Sequence, residues 1–214
     1  HIMMFAGFMM LFLGTTLLEV DHLAAMVSEK LHFHHGWYYV IYEGALDVFG
    51  LLFIVGISLF VWRRMRRPSS VGHRASDWTA LGLFLGIGVT GYFVEGLRIV
   101  WDRPEGLALW CSPVGAVVAK LFGGMSEPTS RSAHLVVWWV HSLMVFGFFA
   151  MIPFTRLLHL ITGPANLFFS TPSLGQLKPI SIEDVEESGV VGVSEIAHLD
   201  QQQLLSLDAC MECG

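Results

Sequence analysis

Four apolar stretches dominate this chain, at roughly 2–20, 40–62, 78–101 and 133–160. An α-helix needs about 20 apolar residues to cross a hydrocarbon core of about 30 Å, and each stretch meets that length. The first, IMMFAGFMMLFLGTTLLEV, carries no charge before Glu19. A backbone in lipid must satisfy its own hydrogen bonds, so stretches of this kind form helices and pack as a bundle. Composition agrees. Of the residues, 54% are hydrophobic and only 14% charged, against about 25% charged in a soluble domain. Three cysteines in 214 residues exclude a disulfide scaffold. Trp62, Trp78, Trp101, Trp138 and Trp139 lie at or near the expected ends, as interfacial aromatics do. The expected fold is all-α, a transmembrane bundle of about four spans.

The net charge of −6 is unevenly placed. Residues 181–214 hold eight acids and no Lys or Arg, while the rest of the chain is slightly basic. Neither part has a basic nucleic-acid footprint. The shift near residue 165 divides a membrane domain, 1–164, from a polar region, 165–214. The connection between the second and third stretches, RRMRRPSSVGHRASD, carries five arginines. Positive-inside bias places it in the cytoplasm and, with an even number of spans, the C-terminal tail beside it. The expected location is the inner (cytoplasmic) membrane. The first span starts without a signal-peptide leader, and the last residues stop inside what reads as a motif. The chain is expected to be a piece of a longer protein.

Ten histidines are many for such a chain. His141 and His159 lie 18 residues apart in the fourth stretch, which on one helix is five turns and about 27 Å. Both then point the same way, one towards each side of the membrane. His1 and His22 bracket the first span, about 31 Å apart along a helix. Since spans one and four run in opposite directions, His1 pairs with His159 at the inner level and His22 with His141 at the outer level. Two stacked histidine pairs suit two b-type haems, with a single haem as the alternative. Haem leaves two axial positions to the protein. His32, His34 and His35 compete with His22 for the outer position. For each histidine alone, a hydrogen-bonded or interfacial role is the plainer reading. Gly7 and Gly14 share a side of span one, where a macrocycle or a helix can approach.

Glu95 and Arg98, three residues apart near the outer end of span three, can pair. They read either as a structural ion pair or as a quinone site, whose chemistry needs a hydrogen-bond donor and a proton-carrying carboxylate. Glu43 and Asp47 are secondary candidates. Gly82 and Gly86 have helix-packing spacing, and Cys111 reads as a plain buried thiol.

The run AHLVVWWVHSLMVFGFFAMIPFTRLLHLITGPANLFF resembles the last membrane helix of the nitrate reductase gamma subunit and heterodisulfide reductase membrane-subunit family. The start, HIMMFAGFMMLFLGT followed by EVDH, is similar to the helix supplying the opposite ligands. The resemblance implies that His141 and His159 ligate two haems b. It departs at Leu11, where nitrate reductase gamma carries its second ligand of that helix. The tail LDQQQLLSLDACMECG resembles the entry to the ferredoxin-like domain of iron–sulfur oxidoreductases that fuse this membrane unit to cluster-binding domains, such as membrane electron-transfer-flavoprotein:quinone oxidoreductases. Cys210 and Cys213 then ligate a 4Fe-4S cluster completed by residues outside this chain. The implied activity is electron transfer between menaquinone or ubiquinone and cytoplasmic iron–sulfur clusters, with an electron-transfer flavoprotein as a soluble partner. Two other classes compete: a proton or ion transporter using Glu43, Asp47, Glu95 and His141, and a non-redox membrane anchor.

Overall fold

The computed structural model describes residues 1–66, 75–104, 106–170, 182–189 and 195–210, and these are helical with no strand among them. Four helices are long and apolar enough to cross a membrane. They are α1 (Ile2–Val27), α2 (Gly36–Met65), α3 (Ala75–Asp102) and α6 (Glu127–Met151); between the last two lie the short α4 (Leu107–Cys111) and α5 (Pro113–Leu121). The long helices overrun the apolar stretches by several residues at most ends. Helical hydrogen bonding continues where the apolar run stops, so Glu19, Asp21 and His22 fall on the last turns of α1.

Internal contacts divide the chain into two units, with the break in this region between Phe149 and Ala150. In the first unit, helices run antiparallel to their neighbours. Gly7 and Gly14 of α1 are buried against α2: a β-carbon on Gly7 would lie 2.7 Å from the Phe49 carbonyl and the Phe53 side chain. Only glycine lets the two backbones approach this closely. The space that the sequence left open to a macrocycle or a helix is taken here by a helix. Gly86 of α3 meets Met144 of α6, whereas Gly82 faces open space.

One aromatic junction ties the four long helices at a common level. Phe8 stands 6.1 Å from Phe84 and 5.8 Å from Phe148, Phe53 stands 5.7 Å from Phe84, and Phe84 stands 5.0 Å from Phe148, centroid to centroid. Three of these pairs are edge-on, the arrangement the ring quadrupoles favour. Phe53, Phe84 and Phe148 are buried, while Phe12, Leu13, Val48, Leu51, Leu143 and Phe146 point outward. An apolar exterior of this kind faces lipid, not water.

The fourth stretch is not one helix. After α6, Ile152–Phe154 form a single 3₁₀ turn, Thr155 is extended (φ −135°, ψ 175°), and Arg156–Leu158 form a second 3₁₀ turn. Pro153 has no N–H to give and its ring crowds the preceding turn. The Thr155 hydroxyl then accepts from the Leu157 N–H at 3.2 Å, starting the chain afresh. An uninterrupted helix over 133–160 is therefore corrected, and the five-turn arithmetic linking His141 to His159 does not apply.

In the second unit, α7 (His159–Phe169), α8 (Ile182–Ser188) and α9 (Gln201–Asp208) follow. The α9 N-terminus carries a capping box, with Asp200 accepting from the Gln203 N–H at 2.8 Å. Thr162 of α7 donates to the Asp208 carbonyl at 3.2 Å, tying α9 to α7.

Candidate functional site

His141 stands on α6, two turns before the aromatic junction, with its ring against α3. Its Nδ1 lies 2.9 Å from the Thr90 hydroxyl, and a β-carbon on Gly91 would lie 3.4 Å from its Cε1. The hydroxyl also lies 2.7 Å from the Gly86 carbonyl and 3.2 Å from the Ile87 carbonyl, one turn back on its own helix. The ring is thus gripped by a polar contact inside an apolar helix pair.

A second polar group joins α2, α3 and α5. Arg98 is half-buried and engages three carboxylates. Its Nε and Nη2 reach both Glu95 oxygens at 3.0 and 2.9 Å, its Nη1 reaches Asp102 at 3.0 Å, and its Nη2 meets Glu43 Oε1. The same Glu43 oxygen accepts from the Tyr39 hydroxyl one turn away. The other Glu43 oxygen is buried without a partner, and so is the indole N–H of Trp101, one turn on from Arg98. Asp47 is buried too. It accepts from the Val114 N–H at 3.1 Å and the Gly115 N–H at 2.9 Å, the first free N–H groups of α5. A helix N-terminus is a natural seat for a carboxylate, since unpaired N–H groups and the positive dipole end coincide there. Pro113 opens α5 at the position where a missing N–H costs nothing. The α5 backbone comes close because Gly115 packs on Glu95 and Gly96 on Val118.

A third group closes the connection between α1 and α2. Asp21 is 1% exposed and accepts from the Phe33 N–H at 2.7 Å and the His34 N–H at 3.2 Å. Its other oxygen lies 2.7 Å from His32 Nδ1 and 3.6 Å from His34 Nδ1. His34 is buried edge-on between Tyr38 and Tyr42, and neither ring nitrogen has a hydrogen-bond partner. Burial away from water pushes the His34 imidazole below its ordinary value, with the Asp21 charge opposing in part. No cluster of three or more His, Cys, Asp or Glu among the described residues has metal-binding geometry.

The other singled-out residues fall as follows. Glu95 and Arg98 do pair, within a larger group than the sequence suggested. His1 is exposed beside Phe60, 5.7 Å between ring centroids. His22 is exposed on the last turns of α1. Phe8 meets Phe148 across antiparallel helices, so seven residues along each puts Thr15 level with His141. His22 lies seven residues further out, about 10 Å at 1.5 Å per residue, and is level with His134. The structure does not bring His22 and His141 to one height. His159 lies in the second unit, its Nδ1 2.5 Å from the Arg156 carbonyl. Cys210 is exposed with a free thiol, and Cys213 lies outside the described residues. Cys111 is half-buried and free.

Sequence reasoning missed Thr90, Trp101 and Asp21, and ranked Glu43 too low. A hydroxyl in the apolar run GIGVTGYF was the available signal for Thr90. Ser112-Pro113 was the signal for a helix start near Asp47.

The long apolar helices with polar side chains gripped between them define a polytopic membrane unit. The chain belongs to the nitrate reductase gamma subunit family, whose pattern matches residues 2–175. It is similar to an EtfAB:quinone oxidoreductase of Syntrophomonas wolfei, with 31% identity over all of this chain and 30% of that protein. It is 27% identical, over the same shares, to a probable iron–sulfur-binding oxidoreductase, FadF, of Bacillus subtilis. It is 25% identical, over 64% of this chain and 53% of the relative, to a subunit of the dihydromethanophenazine:CoB–CoM heterodisulfide reductase of Methanosarcina thermophila. The chain spans about a third of the length of the first two. No solved structure matches it. The resemblance carried by the fourth stretch is thereby established, and the relatives are oxidoreductases.

Proposed function

We propose that this chain is the haem b-carrying membrane unit of a quinone-linked oxidoreductase, passing electrons between the quinone pool and cytoplasmic iron–sulfur clusters. The observation that carries the reading is His141, an imidazole held by one nitrogen between two spans of a family of redox membrane subunits. When bound, a b-type haem supplies a one-electron carrier whose two axial positions the protein fills. His141 and His159 fit that role because each is held through Nδ1, which leaves Nε2 for the iron. His1 is the other ligand candidate at the inner level; at the outer level His22 stands about 10 Å along the helix from the height of His141, and His34 is its rival. Whether the unit holds two haems or one is decided by pigment stoichiometry.

The quinone, menaquinone or ubiquinone, is assigned to the Glu43–Glu95–Arg98 group. Arg98 engages carboxylates through four of its five N–H groups, which fixes Glu43 and Glu95 in place. The unpartnered Glu43 oxygen is the acceptor a hydroquinone hydroxyl needs, and the Trp101 N–H is a donor for a quinone carbonyl. Glu43, already bonded to Tyr39, can hold a proton leaving the ring.

Cys210 and Cys213 are assigned to a 4Fe-4S cluster completed by the rest of a longer protein. The unit sits in the cytoplasmic membrane with its arginine-rich connection and tail in the cytoplasm. The EtfAB:quinone oxidoreductase relative supports an electron-transfer flavoprotein as the soluble partner. Absorption spectroscopy of the purified full-length protein tests the reading. A reduced b-type band is expected, and His141→Ala should remove one haem and leave the other. Absence of any b-type band overturns it in favour of transport or anchoring.

A further inference from the structure

The Thr90 hydroxyl has one proton and three neighbours that could take it: the Gly86 carbonyl at 2.7 Å, the Ile87 carbonyl at 3.2 Å and His141 Nδ1 at 2.9 Å. A threonine inside a helix gives its proton to the carbonyl one turn back, and the Gly86 contact is the shortest of the three. The oxygen is then left with lone pairs facing the ring, so Nδ1 must be the protonated nitrogen. A neutral imidazole carries one proton, so Nε2 is the nitrogen with the free lone pair.

We propose that Thr90 is the positioning residue of His141. It fixes the Nδ1–H tautomer and ring rotation so that Nε2 is presented as a ligand. The proposal rests on the haem reading for its purpose and on the hydrogen bonds alone for the tautomer. A ligating histidine whose other nitrogen donates is both oriented and made more basic by its acceptor. Greater basicity favours the ferric over the ferrous state. His159 has the same device in backbone form, Nδ1 against the Arg156 carbonyl at 2.5 Å. That contact survives any side-chain change at Arg156, whereas the Thr90 contact can be removed by mutation.

Two measurements on the full-length protein in detergent separate this proposal from the haem reading. Nitrogen-15 NMR of histidine-labelled protein prepared without haem reads the tautomer directly. His141 is expected as Nδ1–H in the wild type and in Thr90→Ser. In Thr90→Val, which keeps the shape and loses the oxygen, a shift towards the Nε2–H form is expected. An Nε2–H His141 in the wild type overturns the proposal, whatever the protein binds. Redox titration of the loaded protein is the second measurement. Thr90→Val should raise the reduced-to-oxidised ratio of the His141 haem about fivefold at fixed potential. At about 59 mV per decade for one electron, that is about 40 mV upward. Thr90→Ser should stay near the wild-type potential. An unchanged potential in Thr90→Val, or an equal shift in Thr90→Ser, overturns the proposal while leaving haem binding intact. Absence of haem from the wild type overturns the haem reading instead.

Discussion

Replacing Arg98 by methionine removes the cation that faces Glu43, Glu95 and Asp102, and the three contacts differ in worth. Asp102 is 46% exposed and one turn away on the same helix; a pair of that kind is worth about 0.3–0.5 kcal/mol. Glu95 is 28% exposed and bonded through both oxygens, worth about 1 kcal/mol at the upper end of the partly exposed range. Glu43 is 7% exposed and carries the largest consequence. Removing one partner of a buried pair leaves an uncompensated charge and costs about 3–5 kcal/mol. Arg98→Met should therefore destabilise the first unit by about 5 kcal/mol in all. At roughly 2–4 °C per kcal/mol for a chain of this size, the melting temperature in detergent should fall by roughly 10–20 °C. The same logic makes a sharper demand on the double variant. Glu43→Leu with Arg98→Met takes away the stranded charge together with its partner, and such replacements are often neutral. The cycle should show a coupling of about 2 kcal/mol or more, with the double variant more stable than Arg98→Met alone. Thermal unfolding followed by the tryptophans reads all four proteins. An Arg98→Met protein within about 0.5 kcal/mol of wild type, the ordinary surface range, would refute the burial assigned to Glu43. So would a double variant no better than the single.

Further perturbations test the remaining parts. Asp47→Asn weakens the charge-assisted grip on the α5 N-terminus by about 1–2 kcal/mol, and faster hydrogen exchange over residues 113–121 is the expected readout. Gly7→Ala forces a β-carbon to within 2.7 Å of Phe49 and Phe53 and should cost about 1–3 kcal/mol by overpacking, while Gly82→Ala, with nothing within 4 Å, should be neutral in the same melting assay. His34 is held neutral by burial, so its proton affinity in the folded chain is below that of the unfolded chain. The unfolded state then binds more protons as pH falls below about 6.5, and stability contributed here is lost in that direction. Proteolysis between α1 and α2 should accelerate from pH 7 to pH 5 in the wild type, where Asp21, His22 and His32 are the charged groups nearby, and lose that dependence in His34→Phe.

The fold was legible because lipid imposes a length rule, and that rule found the four long apolar helices among the described residues. Its ends came out short because charge marks where lipid stops, not where helical hydrogen bonding stops. The site was legible only in part, for reasons specific to each residue. Glu95 and Arg98 could be paired because they are one turn apart on one helix. Glu43 could not be joined to them, since that contact crosses two helices whose register depends on how Gly50 receives the Tyr92 ring and Gly88 the Ile54 side chain. Asp47 needed α5, a nine-residue helix too short for the span rule to register. The fourth stretch misled in another way. Its apolar run passes through Pro153, and hydropathy carries no record of the 3₁₀ turn and the extended Thr155 that follow α6.

The distribution of buried charge carries the last step. Because neighbouring long helices run in opposite directions, the end of α1, the beginning of α2 and the end of α3 meet at one side of the first unit. Asp21, Glu43, Asp47, Glu95 and Asp102 all lie there, and Arg63, Arg64 and Arg66 lie at the opposite ends of the helices. The acids are held by different means: loop N–H groups for Asp21, a helix N-terminus for Asp47, and one guanidinium for the other three. Backbone donors are lost only by substitution to proline, whereas the guanidinium is lost by any change at Arg98, so selection on stability alone would favour the first two solutions. The Arg98 arrangement leaves a Glu43 oxygen buried and unpaired, a cost that a purely structural group has no reason to keep. On the orientation proposed above, with the arginine-rich connection in the cytoplasm, that oxygen lies towards the outer half of the membrane. On the quinone reading proposed above, it is the group that would exchange a proton with the ring at that level.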